Sequence, residues 1–216
     1  MLMSDLRSMA KKNRGVMLAV VGILCIGLLS SYAMLGSSSG QSNSLKSQIS
    51  AYEKAVDNAK KELAAKPDDY SQNLNLGDLL YELASLYAED GNAKFSQAMA
   101  DAAVYYDAAY KNATGLSDEG KAGILVKRAN ALYASGDSIN AELTLMTAVY
   151  LAPTNWSANY NYIVFLLLEK GAERALEYAL EYKDILAADD PNLSSLNIII
   201  DDLKSRVESE NDHDHS

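Results

Sequence analysis

Between Leu45 and Val207, apolar residues return at three- and four-residue steps in run after run, each run closed by a short polar interruption. That spacing puts the apolar side chains on one face of an α-helix, which must then be buried against a neighbour. The first run is Leu45, Ile49, Tyr52, Val56, Ala59 and Leu63, closed by Pro67 and Asp68. A second, Leu74, Leu76, Leu80, Leu83, Leu86 and Tyr87, is apolar over a wide face and ends near Asp90-Gly91. From Lys94 to Tyr110, Ala98, Ala102, Ala103, Ala108 and Ala109 alternate with Phe95, Tyr105, Tyr106 and Tyr110. Small residues let helices approach and rings fill the space between them, so this run reads as the inner helix of a hairpin. Asn112 to Gly120 (NATGLSDEG) reads as a loop, and the pattern restarts at Ala122. The fold class expected is all-α.

Ahead of these runs lies a segment of another kind. Residues 15–36 contain no charged side chain and are rich in Val, Leu, Ile, Ala and Gly. A run of about 20 such residues matches the thickness of a bilayer core. Arg7, Lys11, Lys12 and Arg14 precede it, and the next basic residue is Lys46. Basic flanks stay on the cytoplasmic side, which orients everything after residue 36 outward. The expectation is a bacterial cytoplasmic-membrane protein with a single-pass helix at 15–36. The rival is a signal peptide cleaved after Ala33, because Ser31 and Ala33 form a small-x-small pattern. Residues 1–14 then form a basic cytoplasmic tail, 37–44 (Ser/Gly-rich) a flexible tether, 45–207 one helical domain, and 208–216 a disordered polar tail.

Charge and residue type remove whole classes of function. The 216 residues carry a formal charge of −10. The first 14 are net basic, so the remainder is more acidic still and repels phosphate backbones and anionic headgroups. Nucleic acid is not an expected partner. The single cysteine, Cys25, sits in the apolar segment as a filler, and both histidines, His213 and His215, belong to the tail. The folded region therefore lacks the residues for Ser/His/Asp or Cys/His catalysis and for most zinc sites. No catalytic residue, metal ligand or cofactor is expected, and the chain reads as a non-enzyme.

The stretch Lys127 to Asn155 (KRANALYASGDSINAELTLMTAVYLAPTN) is specific enough to carry a resemblance. It resembles a tetratricopeptide repeat, a 34-residue helix–turn–helix unit with small residues at the helix crossing and a terminal proline. Ala129, Ala141 and Ala148 match the small positions, Leu132 and Leu145 the large ones, Gly136 the turn and Pro153 the terminator. One period on, Trp156 starts a unit with Leu166 at the large position, Gly171 near the turn and Ala175 at the small one. Ile163 stands there where Gly or Ala is usual, which implies looser helix packing. Counting on from Pro67 places Leu76-Gly77 and Leu80 in an earlier unit with longer helices. The resemblance implies an α-solenoid of antiparallel helix pairs. The apolar face of Leu193, Leu196, Ile199, Ile200, Leu203 and Val207 would form its capping helix.

The same resemblance implies a groove, lined by the first helix of each pair, that receives a protein or peptide ligand. By register its lining is Asn75, Asp78 and Tyr81, then Lys127, Asn130 and Tyr133, then Tyr160 and Asn161. Asn donates and accepts toward a peptide backbone, and Tyr offers amphipathic contact area. Lys127 with Asn130 and Asn161 also partly matches the family's carboxylate clamp, which grips a peptide C-terminus. The function expected is a membrane-anchored scaffold, adaptor or chaperone-like assembly factor that binds envelope proteins. Its alternative is a permanent architectural subunit of a larger envelope complex.

Overall fold

The computed structural model describes residues 41–214. They form eight helices and no strand: α1 (Gln41–Ala65), α2 (Tyr70–Glu89), α3 (Phe95–Asn112), α4 (Asp118–Ser135), α5 (Ser138–Leu151), α6 (Trp156–Glu169), α7 (Ala172–Ile185) and α8 (Leu193–Asp214). None of the described helices is long and apolar enough to cross a membrane. The segment 15–36, read as a membrane span, lies outside the described residues.

The chain divides into two compact units, where the sequence suggests one domain. Among the described residues, one holds residues 41–115 with Lys127–Ala141, the other Leu116–Val126 with residues 142–214. In the first, α2 packs on α1 and α3; in the second, α7 packs on α6 and α8. These six helices thus find partners next to them in sequence, as in helical repeats, where a core is built from local contacts.

Helix starts follow from capping chemistry. The Asp69 side chain accepts from the Gln72 amide at 3.0 Å at the start of α2. The Asn155 side chain accepts from the Ala158 amide at 2.8 Å at the start of α6. Ser117 Oγ and Asp137 Oδ1 take the Gly120 and Asn140 amides at 3.2 Å each and start α4 and α5. Each bond satisfies a donor that the first turn otherwise leaves open. The turns α2–α3, α4–α5 and α6–α7 each contain a glycine in the left-handed region, Gly91 (φ 68°), Gly136 (φ 100°) and Gly171 (φ 97°). These φ values are strained for any residue with a Cβ.

The core is built on alanine. Ala129, Ala141, Ala148 and Ala175 are at most 1% exposed, and Ala98, Ala102, Ala103 and Ala109 are also buried. Gly77 marks the tightest approach: a Cβ there would lie 2.7 Å from two carbons of the Tyr106 ring. In the first run Ile49, Val56 and Leu63 form the buried edge of α1.

Three boundaries differ from the sequence reading. α1 begins at Gln41, inside the stretch read as tether. No Gly or Pro follows before Pro67, and adding a turn to an existing helix costs little. Here Gln48 Nε2 donates to Ser44 Oγ at 3.2 Å. α4 starts at Asp118, inside the stretch read as loop, because Ser117 caps it. α8 runs to Asp214, past Val207 and into the stretch read as a disordered tail. Arg206 donates to Asp202 at 2.7 Å and Ser209 Oγ to the Arg206 carbonyl at 2.9 Å along this last part.

Candidate binding face

Within the first unit, α2 and the second half of α4 come together through side chains. Lys127 Nζ lies 2.6 Å from Asp78 Oδ1, and the same oxygen accepts from the Tyr106 hydroxyl at 2.8 Å. Lys127 also stands over the Tyr106 ring, 5.9 Å from its centroid. Burial, then the Asp78 charge, pushes the Tyr106 hydroxyl well above its ordinary range, so it stays a donor. Glu82, one turn on from Asp78, is exposed by area, yet its carboxyl is raised by desolvation first and by Asp78 second. The cluster therefore holds two carboxylates against one ammonium.

The residues expected to line a groove are thereby placed. Asp78 and Lys127 are joined directly. Asn75, three residues before Asp78, is exposed, while Tyr81, Asn130 and Tyr133 are half-buried. Three-residue steps keep Asn75, Asp78 and Tyr81 on one side of α2, and Lys127, Asn130 and Tyr133 on one side of α4. The Lys127 ammonium, expected as part of a carboxylate clamp, is held by Asp78. In the second unit, Tyr160 stacks on Trp156 at 5.7 Å, and Asn161 donates its side-chain amide to the Ser157 carbonyl at 2.8 Å. One Asn161 N–H is thus used within its own helix.

The helix starts are held by a device absent from the sequence reading. Asn73 Nδ2 donates to the Pro67 and Asp69 carbonyls at 2.8 and 2.9 Å. Asn159 Nδ2 does the same to Pro153 and Asn155 at 2.9 and 2.8 Å. The two asparagines are 2% and 0% exposed. The signal was in the sequence: PDDYSQN and PTNWSAN share proline, capping residue, aromatic, serine and asparagine in order. In the second unit Tyr178 donates to Asn159 Oδ1 at 2.5 Å, and Tyr182 to the Thr154 carbonyl at 3.2 Å. Burial raises both phenols, Tyr182 to about 12.

Two clefts flank these helices. In the first unit a cleft of about 360 Å³ runs between α1, α2 and α3, floored by Val56, Leu80, Leu83 and Ala98. On its rim Glu53 accepts from Tyr87 at 2.6 Å and from Lys94 at 3.2 Å. These two bonds, the Tyr87 hydroxyl first, lower the Glu53 carboxyl. In the second unit Tyr160, Ile163, Val164 and Leu167 of α6 face Ile198, Ile199 and Leu203 of α8 across a cleft of about 370 Å³. Ile163 takes the place in the second motif that Gly77 takes in the first, and its bulk stands at this cleft. Ile198 is 70% exposed, so α8, expected to cap the core, leaves apolar surface open.

Among the described residues no group of three or more His, Cys, Asp or Glu is placed to hold a metal ion. No protein-family model matches the chain, and the search of curated proteins returned no match.

Proposed function

We propose that this chain is a membrane-tethered, tetratricopeptide-like helical module that binds other proteins outside the cytoplasm, as a scaffold or assembly factor. Its recognition face is the one shared by α2 and the second half of α4. The Lys127–Asp78 pair carries this reading, because it joins residues 49 apart in sequence. Two helices that each start a hairpin thereby offer Asn75, Tyr81, Asn130 and Tyr133 to one ligand. Amide and phenol side chains suit the backbone of an extended peptide. With Lys127 neutralised and Glu82 beside Asp78, the face favours neutral or basic ligand side chains over a terminal carboxylate.

Membrane tethering rests on the uncharged run 15–36, and the outward orientation on the four basic residues before it. Binding rather than catalysis rests on the residue types: between residues 41 and 207 there is no Cys and no His. A photo-crosslinking residue at Tyr133, compared in intact cells with one at Asp118, tests the reading. Capture of one recurrent protein from Tyr133 alone is expected. Equal capture from Asp118, or none from either, would overturn it.

A further inference from the structure

The second compact unit is apolar at one cleft and strongly acidic around it. Both walls of the cleft between α6 and α8 carry their side chains at three- and four-residue steps: Tyr160, Ile163, Val164 and Leu167 on one, Ile198, Ile199, Asp202 and Leu203 on the other. Ile163 and Leu203 are buried at its base, whereas Ile198 is 70% exposed at its lip. The last helix of a solenoid ordinarily turns a polar face outward. α8 instead leaves an apolar stripe beside that of α6, and two such stripes at one helical pitch form a seat for the apolar face of a third helix.

The charge around this seat has one sign. The second unit carries 16 acidic and 6 basic side chains, against 12 and 9 in the first. On α8 the bases are already held, Arg206 by Asp202 at 2.7 Å and Lys204 by Asp201 at 3.6 Å, so the acidic excess stands. We propose that the cleft binds an amphipathic helical segment of another protein, with its large apolar side chains seated between α6 and α8 and its flanking Lys or Arg side chains set toward Asp202 and the acidic surface of the unit. The site is built wholly from the second unit and goes beyond the face shared by α2 and α4.

Charge selects this occupant over others. A second copy of the chain brings the same acidic unit and is repelled, as are an acidic helix and an anionic lipid headgroup. A basic segment is drawn in, and the Asp202–Arg206 pair is no obstacle. Both of its side chains are more than half exposed, so an incoming cation shares the carboxylate at little cost. The cleft volume of about 370 Å³ lies in the range of ligand sites.

A defined probe gives the test. The full-length chain in phosphatidylcholine nanodiscs is irradiated with a peptide of about 14 Leu and Lys residues, roughly 20 Å long as a helix, that carries benzoylphenylalanine at one central apolar position. Adducts mapped by mass spectrometry are expected on α6 and α8 at the cleft. The matched peptide with Glu in place of every Lys is expected to give about tenfold less adduct. Ile198→Lys is expected to reduce the adduct of the basic peptide about tenfold, with the circular-dichroism melt unchanged because the side chain is exposed. Equal adduct from the acidic peptide, or indifference to Ile198→Lys, would overturn the proposal. So would adducts on α2 or α4 alone, which would leave the other face standing, and so would no adduct, the result expected if lipid or a second copy fills the cleft.

Discussion

Asp78 accepts both the Lys127 ammonium at 2.6 Å and the Tyr106 hydroxyl at 2.8 Å, so one carboxylate oxygen ties α2 to α4 and α3. The two bonds are unequal in weight. The Lys127–Asp78 pair is nearly half exposed on both sides, 46% and 42%, and water screens it. The Tyr106 hydroxyl belongs to a side chain 2% exposed and has no comparable alternative in solvent.

Lys127→Met is therefore expected to cost less than about 1 kcal/mol, whereas Asp78→Ala costs about 1–3 kcal/mol by stranding a buried donor. Urea denaturation of the two variants separates these effects. Equal losses would mean that the ion pair, not the phenol, carries the stability.

Gly77→Ala forces a Cβ to within 2.7 Å of the Tyr106 ring. The overlap is expected to cost about 1–3 kcal/mol net, although alanine is the better helix former. Gly123 supplies the control, since a Cβ there meets nothing within 4 Å. Gly123→Ala should gain up to about 1 kcal/mol. The contrast is read from denaturation midpoints.

Asn73→Ala and Asn159→Ala each strip two carbonyls of a donor and should cost about 1–3 kcal/mol. The Asn159 change should cost more, because it also strands the Tyr178 hydroxyl. A double-mutant cycle with Tyr178→Phe measures that coupling directly.

Stability should respond to pH with opposite signs at two carboxylates. Glu82 binds its proton more tightly folded than unfolded, its pKa lying above the ordinary 4.5. It opposes folding at neutral pH, and the opposition is relieved as pH falls through the raised value. Glu53 lies below 4.5 when folded, so its contribution is present above 4.5 and is lost as pH falls through the lowered value. Glu82→Gln should raise the neutral-pH melting temperature and flatten the profile above 4.5; Glu53→Gln should lower it and remove the acid-side loss. Melts between about pH 3 and 7 check both.

Much of the fold is legible in the sequence because helical repeats are built from local contacts. Apolar periodicity places α1, α2 and α3, and Gly91, Gly136 and Gly171 mark turns that need a positive φ. The alanines assigned to helix crossings are buried because only small side chains fit there. Long-range choices are not written in periodicity. Lys127 looks free until its helix is laid beside Asp78. Asn73 and Asn159 look like surface residues until the prolines ahead of them fold back. Helix ends also ran past the composition signal, since Gln41 and Asp214 extend helices whose stability comes from other turns.

The most direct test of the binding reading places the photo-crosslinking residue at Tyr81 of α2 and, separately, at Tyr133 of α4, in the full chain in intact cells. A shared face predicts that both positions capture the same protein, and that Asn130→Ala weakens capture at both. Two different captured proteins, or capture indifferent to Asn130, would contradict a recognition face built by α2 and α4 together.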